Sequence, residues 1–215
     1  MVVSLAVAML AAAFTNVGPR RDPRVLGATQ SNVAYDYYNE FAPSSSPIQW
    51  TGDRGSCQAG TISAAYKDDV VERINYFRRL AGVPPTNRSA DLDTKAQAAA
   101  LIQSFLKTPT HEPTAGSVCH TAEGAAASNA SNLSLTSGIQ TIGNQFIRDH
   151  GKPGVGIASD VNRGVGHRAF LLSPDLRTVG IGDVPGLPGD RGAMAIHVTA
   201  NTFNVTAPQF QAWPP

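Results

Sequence analysis

Gly166-His167-Arg168-Ala169-Phe170-Leu171-Leu172-Ser173-Pro174 leads, after Asp175-Leu176-Arg177, into Thr178-Val179-Gly180-Ile181-Gly182. The first half reads as a short helix over 165–172 that stops before Pro174, which can neither donate a backbone hydrogen bond nor continue the helix. The second half reads as a strand in which glycines alternate with β-branched residues. Glycine there lets another backbone or a ligand come close. A second strand-like run, Ala193-Met194-Ala195-Ile196-His197-Val198-Thr199, follows the turn-rich Pro185-Gly186-Leu187-Pro188-Gly189-Asp190. The pair is expected to form an antiparallel hairpin. A third strand is expected near Val155 to Ala158.

Upstream the pattern is helical. Val70, Ile74, Phe77 and Ala81 share one helical face, and Asp69 and Arg73 pair at i,i+4 on another. Gly82 and Pro84-Pro85 end that helix. A second helix is expected from Asp91 to Thr108, ended by Pro109. Its centre, Ala98-Ala99-Ala100-Leu101-Ile102, is apolar all round and therefore buried. Ser137 and Gln140 suggest a capping box for a third helix through Ile139, Ile142, Phe146 and Ile147. Between these helices, Ala125 to Ser134 reads as an exposed alanine- and serine-rich loop, or as a flexible lid. Helices first and a hairpin last make an α+β layering, not a doubly wound sheet. No internal repeat is present.

The 215 residues suit one core-bearing domain with a modest extension. Net charge is +1, and no run of lysines or arginines occurs. Nucleic acid and anionic membranes are thereby unfavoured as main partners, because both need a concentrated basic face. The opening MVVSLAVAMLAAAF has the length of a signal-peptide core and is too short to span a bilayer. Residues 1–13 are read as a leader that directs export, with no membrane segment in the mature chain. The alternative is a buried N-terminal helix, since no lysine or arginine precedes the run.

Cys57 and Cys119 form an even pair, bridged in an oxidising compartment and two free thiols in the cytosol. With the leader, the reading is a disulfide, worth about 4 kcal/mol for a loop of about 62 residues. Residues 14–60 are a Pro-, Ser- and aromatic-rich arm expected to pack on the domain, 61–205 the domain itself, and 206–215 a tail. Sequons stand at Asn87, Asn129, Asn132 and Asn204.

The strong catalytic signatures are absent: no GxSxG elbow, P-loop, HExxH or dinucleotide-binding glycine pattern occurs. What remains is His167 on a short helix before a glycine-containing strand. There the sequence resembles the CAP superfamily of cysteine-rich secretory, antigen 5 and pathogenesis-related-1 proteins. GHRAFLLSPDLRTVGIG is similar to that family's C-terminal signature. Ile74-Asn75-Tyr76-Phe77-Arg78-Arg79-Leu80-Ala81-Gly82-Val83-Pro84-Pro85 is similar to its first helix. Leu92 and Ala96 fit its second helix, and Thr110-His111 stands at the expected place beyond it. The resemblance spans roughly Ala64 to Asn201.

The resemblance implies an α-β-α sandwich around a mainly antiparallel sheet, and a cleft with two histidines and two acids. The histidines fall on His111 and His167, and one acid on Asp149. The other acid falls on Ser131, followed by Asn132; Arg168 lies beside His167. A zinc site needs three protein ligands, with nitrogens at about 2.0–2.1 Å, and Ser131 is a poor one. An acid at that position would also be the natural general base for a bound water. Zinc binding, if any, is expected to be weak, with His120 or His150 contributing. In the simpler reading His120, His150 and His197 are surface or core residues, and Asp149 pairs with Arg168 or Arg163.

Family members are mostly secreted and non-enzymatic, and bind sterols, lipids, metals or proteins. The expectation is a secreted binding module, its ligand a protein, lipid or small molecule, with a partly degraded His cleft. The alternatives are a divalent-metal hydrolase using His111, His167 and Asp149, and a lipid or sterol carrier with an apolar groove.

Overall fold

The computed structural model describes residues 34–149, 166–187 and 191–198. Helix α1 spans Ala64–Leu80. Ser63 caps it, its hydroxyl accepting the Tyr66 backbone N–H and so satisfying one of the first-turn donors. Tyr66, Val70 and Ile74 recur every fourth residue and are fully buried. The helix is longer at its start than the apolar spacing alone indicated, because the serine cap precedes the first periodic residue.

Strand β1 is only Asn87–Arg88, and helix α2 comes next at Ala90–Gln103. Its alanine-rich centre is buried, as its lack of a polar face requires. The helix ends well before Thr108. Beyond Gln103 the chain turns, with the Ser104 hydroxyl donating to the Leu101 carbonyl. Helix α3 (Ala122–Asn129) and strand β2 (Ser131–Ser134) then occupy the stretch expected to be an exposed loop. That expectation is corrected: Thr121 caps α3 through the Gly124 N–H, and all four residues of β2 are buried.

A π-helical turn covers Ile142–Ile147. Its N-terminus carries no side-chain cap, so the expected capping box does not form. Gln140 instead accepts a hydrogen bond from the Arg73 guanidinium. Helix α4 is Gly166–Leu171, β3 is Thr178–Val184 and β4 is Ala193–His197.

The strands form one sheet in the order β1-β3-β4-β2. β3 and β4 pair antiparallel, with Gly180 opposite His197 and Val184 opposite Ala193, which is the expected hairpin. β2 pairs antiparallel with β4, but β1 pairs parallel with β3, so the sheet is mixed and the fold is α+β. The strand expected near Val155 to Ala158 lies outside the described residues.

Alternation along β3 sorts its neighbours. A Cβ on Gly180 would sit 2.1 Å from the Leu92 carbonyl oxygen, and one on Gly182 2.2 Å from that of Ala96. Helix α2 therefore lies directly on the backbone of β3, a separation only glycine permits. Val179 and Ile181 point the other way. They join Met194, Ile196, Tyr66, Val70, Ile74, Ile142, Phe146 and Leu171 in the larger core. The smaller core holds Ala99, Ala100, Leu101, Ala127, Leu133, Val184 and Ala195.

Because β1 covers only Thr178 and Val179, the rest of that edge of β3 needs other partners. Helix α2 supplies them. Asp93 accepts the Ile181 N–H at 2.9 Å, and the Gln97 amide both accepts from and donates to the backbone of Asp183 at 3.1 Å. Asp183 itself is fully buried in the larger core. Its carboxylate accepts from the Tyr66 hydroxyl at 2.5 Å and the Gly138 N–H at 2.9 Å. Its second oxygen has no hydrogen-bond partner.

The described part of the arm is packed. Ile48 and Trp50 lie against the core, and the Trp50 indole N–H donates to the Ala59 carbonyl. A π-helical turn at Tyr37–Phe41 places Phe41 against Tyr76, with the Arg73 guanidinium 4.4 Å over its ring. The Cys57–Cys119 disulfide then ties the arm to the loop before α3. Among the described residues no helix is long and apolar enough to cross a membrane.

Candidate functional site

Asp149 lies just past the Ile142–Ile147 turn with φ +44°, in the left-handed region that aspartate tolerates better than most residues. Its N–H still reaches the Gln145 carbonyl, so the wide turn closes on it and directs its side chain inward. Asp149 is 7% exposed. One carboxylate oxygen meets His167 Nδ1 at 2.8 Å, and the other accepts the Arg168 backbone N–H at 3.1 Å. Both ends of the carboxylate thus serve the first turn of α4, where free N–H groups favour an anion.

A carboxylate only accepts, so the paired His167 nitrogen carries a proton, and in the neutral ring Nε2 is the acceptor. The His167 side chain is 36% exposed. Phe146 backs the ring at 5.2 Å between centroids. Asn132 on β2 donates to the His167 carbonyl at 2.9 Å. The expected ion pair of Asp149 with the Arg168 side chain is not what holds them. The Arg168 guanidinium reaches the Ile147 carbonyl instead, while its backbone N–H meets Asp149.

The other expected residues have hydrogen-bond partners of their own. His111 is exposed, and its Nδ1 faces the Ser128 carbonyl at 3.0 Å. Gln103, fully buried, sets the backbone just before His111: its amide accepts from the Thr110 N–H and donates to the Thr110 carbonyl. Ser131 donates to the Ala127 carbonyl of α3 at 2.7 Å and stands opposite His197 across the β2–β4 pairing. Its neighbour Asn132 reaches His167. Strand alternation thus sends the two side chains to opposite faces. Among the described residues no hydrogen bond or ion pair joins His111 to His167 or Asp149.

Among the described residues the donor set does not fit a divalent metal. Both Asp149 oxygens are engaged, which makes it the carboxylate that orients His167 rather than a ligand, and the Ser131 hydroxyl is spent on α3. Among the described candidates only the free nitrogens of His167 and His111 remain, where zinc needs three protein ligands. Among the described residues no group of three or more His, Cys, Asp or Glu side chains could hold a metal ion.

Of the remaining histidines, His120 is half-buried, its N–H on the Ser117 carbonyl, and His197 is buried, which pushes its imidazole below the usual range. His150 and Arg163 lie outside the described residues. An open cleft of about 320 Å³ is bordered by Asn39, Pro43, Ser44, Asp69 and Glu72, none of them a candidate residue. Phe146 is the aromatic of the Phe146-Ile147-Arg148-Asp149 stretch that matched the family's aromatic-x-x-Glu pattern. Gln103 escaped the sequence reading, with no signal beyond being polar in an apolar helix.

A family model described as CAP: Cysteine-rich secretory protein family matches residues 71–201, the segment that carries the His167–Asp149 pair and the whole described sheet. No curated protein and no solved structure matches the chain.

Proposed function

The chain belongs to the cysteine-rich secretory protein family, and on that premise we propose that it is an exported binding module whose ligand meets His167. The observation that carries this reading is the His167–Asp149 hydrogen bond at 2.8 Å, which engages Nδ1 of a partly exposed imidazole and leaves Nε2 for a ligand. A ring held in one tautomer presents one acceptor in one direction, the preorganisation that binding rewards. Hydrolysis would ask for more: a nucleophile or a metal-bound water beside the base. The described residues bring no serine or cysteine nucleophile to His167, and Ser131 faces α3.

Export is supported by the leader-like opening and by the Cys57–Cys119 bridge. An α-β-α sandwich is supported by the two cores, one under α1 and one under α2 and α3, on opposite sides of β3. The test is calorimetric titration of zinc into the metal-stripped chain, beside His111→Ala/His167→Ala, with hydrolase assays run in parallel. A binding module predicts no His-dependent zinc uptake at micromolar concentration and no turnover. Saturable zinc-dependent hydrolysis that disappears in His167→Ala would overturn the proposal.

A further inference from the structure

Arg78 heads the fully buried side chains by volume, and no described carboxylate lies within ion-pair distance of it. An uncompensated buried charge is costly, and an apolar side chain of similar size would ordinarily serve the core better. Its surroundings show what it does there. Nε donates to the Pro84 carbonyl at 2.7 Å. Nη1 donates to the carbonyls of Leu171 at 2.5 Å and Ser173 at 2.9 Å, and Nη2 to that of Leu176 at 3.3 Å. Three of these four acceptors belong to the last residue of α4 and the turn that leaves it. They include carbonyls that a helix C-terminus leaves without partners and that a cation satisfies.

Helix α4 needs that support. It has six residues, and isolated helices shorter than about 12–15 residues are marginal in water. At its start Asp149 holds the Arg168 N–H and Asn132 holds the His167 carbonyl; at its end the polar anchor is Arg78. Only a planar fork of five donors can reach carbonyls on both sides of such a turn at once, which the single ammonium of lysine cannot do.

We propose that Arg78 is a positioning residue for the candidate site: by fixing the carbonyls of Leu171, Ser173 and Leu176 it sets α4, and with it the angle at which His167 meets Asp149. The importance of that angle rests on the reading of His167 as the ligand-facing group, but the test reads the ring itself and needs no ligand. In the full ¹⁵N-labelled chain, two-bond proton–nitrogen spectra report the His167 tautomer. The wild type is expected to show one tautomer, protonated at Nδ1. In Arg78→Lys and Arg78→Met that pattern averages between tautomers, and exchange of the Nδ1 proton speeds up about tenfold or more. His111, bonded to the Ser128 carbonyl, is the internal control and stays unchanged.

Variants that lose stability yet keep the His167 pattern would make Arg78 a purely structural residue and overturn the proposal. Should neither variant fold, hydrogen exchange in the wild type decides. The Arg78 Nε–H and the Leu172 and Ser173 amides, each scaled to its own intrinsic exchange rate, should show protection within about threefold of one another, since one opening releases them all. Amides protected about a hundredfold less than Nε–H would show that α4 opens while Arg78 stays bonded, and would overturn it as well. If instead the tautomer shifts as expected but His167→Ala affects no ligand, Arg78 keeps its role and the binding reading falls.

Discussion

Asp183→Asn should remove a pH-dependent stability difference of about 3 kcal/mol. Asp183 is fully buried, and burial pushes its carboxyl from 3.8 up to about 6, against the Ser137 and Tyr66 hydroxyls and the Gly138 N–H, which lower it. The difference between 3.8 and about 6, at about 1.4 kcal/mol for each tenfold change in proton affinity, gives about 3 kcal/mol. The sign is set by proton binding. Between pH 6 and 3.8 the folded chain holds a proton that the unfolded chain has released, so stability rises as pH falls through that window. Above pH 6 both states are ionised, and the folded state bears the full cost of a buried charge with one oxygen unpartnered. The wild type should therefore gain on the Asn variant, step by step, from pH 7 down to pH 4.

The assay is urea denaturation of both proteins at several pH values, read as the difference between them. The subtraction matters because Asp93, also raised by burial, acts in the same direction, while His197, lowered by burial, acts in the opposite one. Both cancel in the difference. For a chain of this length the gain corresponds to a melting shift of about 6–12 °C. A difference that stays flat between pH 7 and 4 would refute the reasoning. It would mean that the site relaxes or admits water enough to keep the carboxylate ionised.

Removing the Cys57–Cys119 bridge, whose partners lie 62 residues apart, should cost about 4 kcal/mol in urea denaturation of a Ser/Ser variant against wild type. A loss below about 1 kcal/mol would show that the arm stays ordered without it. Gly180→Ala would put a methyl group 2.1 Å from the Leu92 carbonyl oxygen, and since backbone cannot rotate away, a loss of about 3 kcal/mol or more is expected; an unchanged melting temperature would mean that α2 does not lie against β3. Asp149→Asn should leave the fold intact, release the His167 tautomer and expose Nδ1–H to fast exchange, as the same ring spectra would show. A still-locked ring would assign the locking to another neighbour.

The hairpin was legible because its signal is local: alternating glycines, a β-branched partner run and a turn between them. Helices α1 and α2 were legible from spacing and from an apolar centre with no polar face. β2 was not, because Ser131-Asn132-Leu133-Ser134 has no strand propensity. It is extended only because β4 offers it a ladder from Ser131–His197 to Ser134–Met194. β1 is two residues held by a long-range parallel contact, which no short window can show. α3 lacks an apolar stripe, and its one local clue was Thr121 three residues before Gly124.

The same gap blurred the site. The family resemblance pointed to Asp149 and His167, which the structure joins. It also put Ser131 at the position of the second acid, where the structure has its hydroxyl donating to the Ala127 carbonyl of α3. Which way a serine points depends on strand parity, and no strand was expected there. Likewise Asp149 chose a backbone N–H over an arginine side chain, because the first turn of α4 presents that donor at no conformational cost.

The Asp93 and Gln97 contacts to β3 have a consequence for how this chain behaves at high concentration. Past Val179 the edge of β3 would otherwise show the unpaired N–H of Ile181 and both backbone groups of Asp183 to any passing extended chain. Such a row is the template on which molecules add strands to one another and begin to aggregate. Helix α2 occupies it with side chains that satisfy the same groups but cannot themselves be extended by another strand. Along this edge, molecules of this protein are thus denied a place to zip together.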